Sequence, residues 1–220
     1  MVIPAYQAAR TIRPIVEAVR ALGLPVLVVD DASSDPTAAE ARKAGADVRT
    51  RPSNGGKGAA LREGLEEVRR RGFGWVLTMD ADGQHLPSEI PRLLEARERT
   101  GADLIVGNRM LNPIGMPADR QLTNRFMSWL ISRLTGQRIP DTQCGFRLIS
   151  GRILRQVELE SQRFEIESEL VVKAAWAGFE VASVPVTSVY RRQISFIRPI
   201  RDTFRFLLFL SRVRRPASLR

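Results

Sequence analysis

Trp75-Val76-Leu77-Thr78-Met79 runs directly into Asp80-Ala81-Asp82-Gly83-Gln84-His85, joining an uncharged run to an acidic loop. The first five residues read as a strand covered on both faces, because such strands lack the polar alternation of half-exposed ones. Behind the loop, the spacing predicts a helix from Pro87 to Arg99. The same unit recurs upstream. Pro25 to Val29 is a second buried strand that ends in Asp30-Asp31, and a helix is expected from Pro36 to Ala44. Ser34 or Asp35 is its candidate cap, Pro36 its first helical residue and Gly45 its terminator.

Further short strands are expected at Val2-Ile3, at Val48, over Leu104-Ile105-Val106 and near Val181 to Val184. Helices are expected over Ile12 to Leu22, Gly58 to Arg70, Gln121 to Leu134 and Glu165 to Ala177. Strands alternating with helices of this length indicate an α/β fold built on a mostly parallel sheet with helices on both faces. No internal repeat or domain boundary is visible. One domain over residues 1–198 is expected, followed by a basic amphipathic helix and tail over residues 199–220.

The 220 residues are 44% hydrophobic, enough for one sizeable core. Lys and Arg number 34 against 24 Asp and Glu, a formal charge of +10 that favours phosphate-bearing partners. Nucleic acid is not expected among them, because basic and aromatic residues are not interleaved and no recognition motif is present. The single cysteine, Cys144, excludes an intrachain disulfide, and the single histidine, His85, excludes a multi-histidine zinc site. No charged and apolar leader precedes Val2-Ile3-Pro4, so no signal peptide is expected. The longest apolar run, Phe206 to Leu210, falls far short of the roughly 20 residues that span a bilayer.

In open α/β sheets ligands bind at the carboxyl ends of the strands. Three polar clusters fall there: Asp30-Asp31, Asn54-Gly55-Gly56-Lys57, and Asp80 to His85. Asp80 and Asp82 are hard oxygen ligands one residue apart, and Gln84 extends the series with a carbonyl oxygen, a set suited to Mg2+ or Mn2+. A calcium loop of the EF-hand type is excluded, because Gly83 is misplaced and Pro91 stands where the bidentate Glu belongs. The Asn54–Gly58 turn enters a helix with Lys57 beside exposed N–H groups, a geometry that accepts an anion. It is not a P-loop, since Gly58 follows the lysine. His85 reads as packing of the loop. Paired with Cys144 it lacks the orienting partner that a nucleophile pair needs.

Taken in order, Val2-Ile3-Pro4-Ala5-Tyr6, Val28-Val29-Asp30-Asp31-Ala32-Ser33-Ser34-Asp35, Asn54 to Gly64, Met79 to His85, Asp141 to Arg147 and Arg163-Phe164-Glu165 resemble the family 2 glycosyltransferases of the GT-A fold. The branch most resembled is that of bacterial dolichyl-phosphate mannose synthase relatives. The resemblance implies a Rossmann-like sheet and a metal-dependent, inverting transfer of a hexose from a GDP- or UDP-linked sugar to a polyprenyl phosphate. It implies that Pro4, Tyr6, Asp31, Lys57 and Asp80 hold the nucleotide, and that Asp80, Asp82 and Gln84 hold the metal. Asp82, Arg109 and Arg125 would serve catalysis, while Arg109, Arg125, Asp141 and Arg191 or Arg192 would serve the acceptor. Gln7-Ala8 and Ser195-Phe196 depart from the family, which often has Asn-Glu and Ser-Lys there.

A lipid phosphate is already ionised and needs cations, whereas a hydroxyl acceptor needs a general base, for which Asp141 or Glu165 would serve. From Pro199 onward, Arg201, Arg205 and Arg212 form one helical stripe opposite Phe204, Leu207 and Leu208, as in helices that lie in an anionic membrane interface. A cytoplasmic protein held at the inner face of the membrane is therefore expected, with oligomerisation left open. The alternatives are a family 2 enzyme with a hydroxyl acceptor and, ranked below it, a non-catalytic nucleotide-binding or nucleic-acid-binding protein.

Overall fold

The computed structural model describes residues 1–163, 165–190, 206, 208, 210 and 213. Seven strands form one sheet: β1 (Val2–Ala5), β2 (Leu27–Asp30), β3 (Asp47–Thr50), β4 (Trp75–Thr78), β5 (Leu104–Asn108), β6 (Arg147–Ser150) and β7 (Val181–Pro185). Their order is β3-β2-β1-β4-β6-β5-β7, and all pairings are parallel except those of β6 with β4 and β5. The expected mostly parallel sheet is present.

The helices are α1 (Ile12–Ala21), α2 (Thr37–Lys43), α3 (Lys57–Arg70), α4 (Ile90–Thr100), α5 (Ala118–Thr135), α6 (Gly151–Gln156) and α7 (Glu165–Trp176). α1 shows why the alternation was readable, since Ile12, Ile15, Val16 and Val19 recur at helical spacing and all are buried. Two expectations shift. α2 starts after Pro36, with Asp35 accepting the Thr37 N–H at 3.1 Å. The helix expected from Pro87 divides into a 3-10 turn (Pro87–Glu89) and α4, where Pro91 lacks an N–H for a continuous ladder.

β6 and α6 were not expected. β6 fills the gap between β4 and β5, with Thr78 opposite Arg147 and Ile105 opposite Leu148. The chain leaves β1 toward β2 and β3, then returns to place β4 on the other side of β1. That switch opens a crevice at the carboxyl ends of β1, β2 and β4, where a doubly wound sheet takes its ligand. The expected C-terminal helix lies mainly outside the described residues, as do Phe164, Arg191, Arg192, Ser195, Phe196, Phe204, Leu207 and the arginines at 201, 205 and 212. Of that segment, Phe206 is buried in the core, and Leu210 and Val213 pack against it.

Candidate active site

The β4 loop is held from three directions. The Thr11 hydroxyl donates to the Ala81 carbonyl at 2.5 Å, the Gln84 N–H donates to Asp82 at 2.9 Å, and the Gln84 carbonyl accepts from the Val189 N–H at 2.9 Å. Asp80 lies against Gly145, where a Cβ would come within 2.5 Å of Oδ1 and 2.7 Å of Oδ2. Only glycine admits the carboxylate at that spot. Lys57, first residue of α3, bridges Asp80 at 2.7 Å and Glu167 of α7 at 2.5 Å. Burial works to lower the Lys57 pKa, but the two carboxylates outweigh it and raise it above the ordinary value. Burial likewise works to raise that of Asp80, and Lys57 and His85 bring it below the ordinary value. Asp82 is raised, by burial first and then by the Asp80 charge.

These carboxylates fit a divalent cation. Both are oxygen donors, their mutual repulsion favours a positive charge between them, and the Gly145 cradle keeps one rotamer open. Among the described residues no group of three or more His, Cys, Asp and Glu side chains is arranged to hold a metal. Two carboxylates with the Gln84 amide leave coordination positions for phosphate oxygens, which is how Mg2+ is usually held.

Pro4 is buried at the end of β1 and Tyr6, just beyond it, is 43% exposed at the crevice. Asp31 is buried. Its carboxylate accepts from the N–H groups of Gly55 at 3.0 Å and Gly56 at 2.7 Å and from the Arg51 guanidinium. The Asn54–Gly58 turn thus does hold an anion, and the anion is the chain's own Asp31. Deeper in the turn, the Ala59 N–H donates to the Gln162 carbonyl at 3.0 Å. A Cβ on Gly58 would lie 2.5 Å from the Arg163 carbonyl, so α3 and the loop before α7 are pressed together.

On the other side of β4, Arg109 and Asp141 form a buried two-point ion pair at 2.8 and 2.9 Å. Asp141 also accepts from the Arg109 N–H at 3.0 Å, the Asn124 amide at 2.9 Å and the Gln143 N–H at 3.3 Å. Burial raises the Asp141 carboxyl, yet Arg109 and the other donors hold it below the usual carboxylate range. Arg109 is correspondingly raised, Asp141 outweighing burial. Arg125 lies one residue from Asn124 on α5 but is exposed, so the helix presents the asparagine to Asp141 instead.

Arg147 is buried, and among the described residues no carboxylate pairs with its guanidinium. It donates to the carbonyls of Cys144 at 2.7 Å, Thr142 at 2.9 Å and Glu167 at 2.7 Å, tying the Asp141–Gly145 loop to α7. Sequence patterning does not mark Asn124 or Glu167 as site residues, whereas Gly145 and Arg147 fall in the stretch from Asp141 to Arg147 that carries the resemblance. Glu167 had a usable signal. Glu165, Glu167 and Glu169 step by about 200° around a helix, so they cannot share one solvent face.

His85 and Cys144 do meet, Nε2 lying 4.0 Å from Sγ. Burial lowers the histidine to about 4 and pushes the thiol up to about 12. Both are neutral near pH 7, the opposite of an activated thiolate pair. His85 is a packing residue against Phe146, with ring centroids 5.5 Å apart.

The chain is 35% identical over 178 residues to an undecaprenyl-phosphate mannosyltransferase of Micrococcus luteus, covering 76% of this chain and 72% of that protein. It is 36% identical over 179 residues to a polyprenol monophosphomannose synthase of Mycolicibacterium smegmatis, covering 76% and 67%. Among solved structures, the glucosyl-3-phosphoglycerate synthase of Mycobacterium tuberculosis, crystallised with Mn2+, UDP-glucose and phosphoglyceric acid, superposes with a TM-score of 0.74 at 20% identity over 95% of this chain and 76% of that one. That likeness carries the fold, which is of the GT-A type. Residues 1–158 match the family described as Glycosyl transferase family 2, and with the carboxylate loop sited at the sheet's switch point, the chain belongs to that family and is a glycosyltransferase.

Proposed function

We propose that the chain transfers a hexose from a GDP- or UDP-linked sugar to a polyprenyl phosphate, with inversion at the anomeric carbon. The observation that carries this reading is the state of Asp141. Its carboxylate is committed to Arg109, Asn124 and Gln143 and its pKa is lowered, so it is a poor base for a hydroxyl acceptor. An acceptor that arrives ionised needs no base. It needs cations, and Arg109, although paired with Asp141, is a permanently ionised guanidinium held in one orientation beside the acceptor loop.

Pro4, Tyr6, Asp31 and Lys57 line the nucleotide side, while Arg109, Asp141, Arg125 and Arg191 or Arg192 serve the acceptor. Asp80, Asp82 and Gln84 would hold Mg2+ or Mn2+, which when bound supplies Lewis-acid neutralisation of the leaving diphosphate. Lys57 keeps the Asp80 carboxylate ionised and in one rotamer. Arg147 fixes the loop that carries Asp141, and thereby the spacing between donor and acceptor sides. The similarity to enzymes named for undecaprenyl and polyprenol phosphates supports the lipid acceptor. Among the described residues no helix is long and apolar enough to cross a membrane, and the reading places the chain at the inner face, where it would meet the lipid phosphate.

The test is thermal denaturation with nucleoside diphosphates, with and without Mn2+. A ligand at a hundred times its Kd should stabilise the native state by about 2.7 kcal/mol. The metal-dependent part should vanish in Asp80→Ala/Asp82→Ala. Transfer is then measured with a polyprenyl phosphate against simple sugars. Transfer to sugar hydroxyls alone would refute the acceptor assignment.

A further inference from the structure

α5 buries polar groups beside its core residues and leaves large apolar side chains outside. At about 100° per residue, Leu122, Phe126, Trp129 and Arg133 form one stripe and Asn124, Met127 and Ile131 the opposite one. The buried side carries the polar work, with Asn124 on Asp141 and the nearby Ser128 hydroxyl accepting the Thr142 N–H at 2.9 Å. The solvent side is apolar, with Leu122 73%, Phe126 44% and Trp129 57% exposed and the last two rings stacked at 6.2 Å. The loop before the helix adds Leu111 at 69% and Ile114 at 72%. A surface helix ordinarily turns such residues inward, and an exposed apolar patch of this kind marks a contact surface.

We propose that this face of α5, with the loop of Leu111 and Ile114, seats the protein on an anionic lipid bilayer. The proposal rests on the lipid-phosphate reading above and names the surface that brings the enzyme to its acceptor. Two observations choose a bilayer as the occupant. Arg125 and Arg133 are exposed on the helix and the only acid it carries is Asp119, so the stripe is rimmed by positive charge. An apolar strip with an aromatic ring and flanking arginines is the composition that settles into a headgroup layer, where the arginine stems can extend along apolar surface. The opposite side of the same helix holds Asp141 and, through it, Arg109. A lipid phosphate beneath the stripe thus lies about one helix diameter, roughly 10 Å, from the proposed acceptor cation.

The test is co-sedimentation of the full chain, without nucleotide or metal, with vesicles of phosphatidylglycerol and phosphatidylcholine and with phosphatidylcholine alone. Wild type should bind the anionic vesicles and lose binding in high salt. Leu122→Ser/Phe126→Ser/Trp129→Ser should weaken that binding at least about tenfold with an unchanged melting temperature. Should the triple variant fail to fold, Trp75→Phe/Trp176→Phe leaves Trp129 as the reporter, and brominated lipids should quench its fluorescence. Failure of wild type to bind, undiminished binding by the triple variant, or an unquenched Trp129 would overturn the proposal. So would a wild-type dimer that the triple variant makes monomeric, since the face would then join two copies. Turnover of a water-soluble short-chain polyprenyl phosphate, which the triple variant should retain, reports on the acceptor reading separately.

Discussion

At Asp141 one carboxylate gathers the end of β5, α5 and its own loop, through Arg109, Asn124 and Gln143. Its pKa is depressed in the fold because Arg109 and the other donors outweigh the effect of burial. A depressed carboxyl contributes stability that is fully present above its unfolded pKa, near 3.9, and is lost as the pH falls through the lower folded value. Asp141→Asn turns an NH2 group toward donors and leaves Arg109 buried without its counter-charge, a cost on the order of 3–5 kcal/mol. Urea denaturation at pH 7 should show that deficit, and it should shrink as the pH is taken below about 4. The same deficit at both ends of the range would mean that shape rather than charge matters at this position.

At the scale of elements, β6 decides how the two sides of the site are spaced, and it is the strand that sequence reading passed over. The strands ending in Asp30-Asp31 and Asp80 were legible because a buried apolar run stops abruptly at charge. The four residues of β6 are few and open on an arginine, which reads as surface. α5 was legible as a helix, but not which way it faced, because its buried stripe carries Asn124 and Ser128. Arg147 is buried because three carbonyls await it, two in the loop just before it and one 20 residues on at Glu167, an arrangement that hydrophobic patterning does not encode. Arg147→Met should therefore cost about 3 kcal/mol or more, since each buried carbonyl left unpaired costs roughly 1–3 kcal/mol. Arg147→Lys should recover only part. A methionine variant as stable as wild type, by equilibrium denaturation, would show that water replaces the guanidinium.

For the whole molecule, β6 joins two regions that carry separate halves of the site. On the proposed function, the donor side would be built on β1, β2 and β4 with α3, and the acceptor side on β5 and β7 with α5 and α7. β6 pairs with β4 along one edge and β5 along the other, and Lys57 of α3 reaches Glu167 of α7 across the same boundary. Buried pairing on both edges predicts one cooperative unit rather than two that melt in turn. Gly64 offers a remote probe, because a Cβ there would strike Val2 Cγ1 and force α3 away from β1 at a cost of about 1–3 kcal/mol. Trp75 lies on β4, whereas Trp129 and Trp176 lie on α5 and α7, so fluorescence reports largely on the far side. Gly64→Ala should shift the fluorescence and circular-dichroism transitions in urea together, to one lower midpoint. Combined with Asp141→Asn its effect should add within about 0.5 kcal/mol, as expected of distant sites in one unit. A fluorescence transition that stays at the wild-type midpoint while the helical signal falls earlier would show that the donor side unfolds alone and that β6 does not couple the halves.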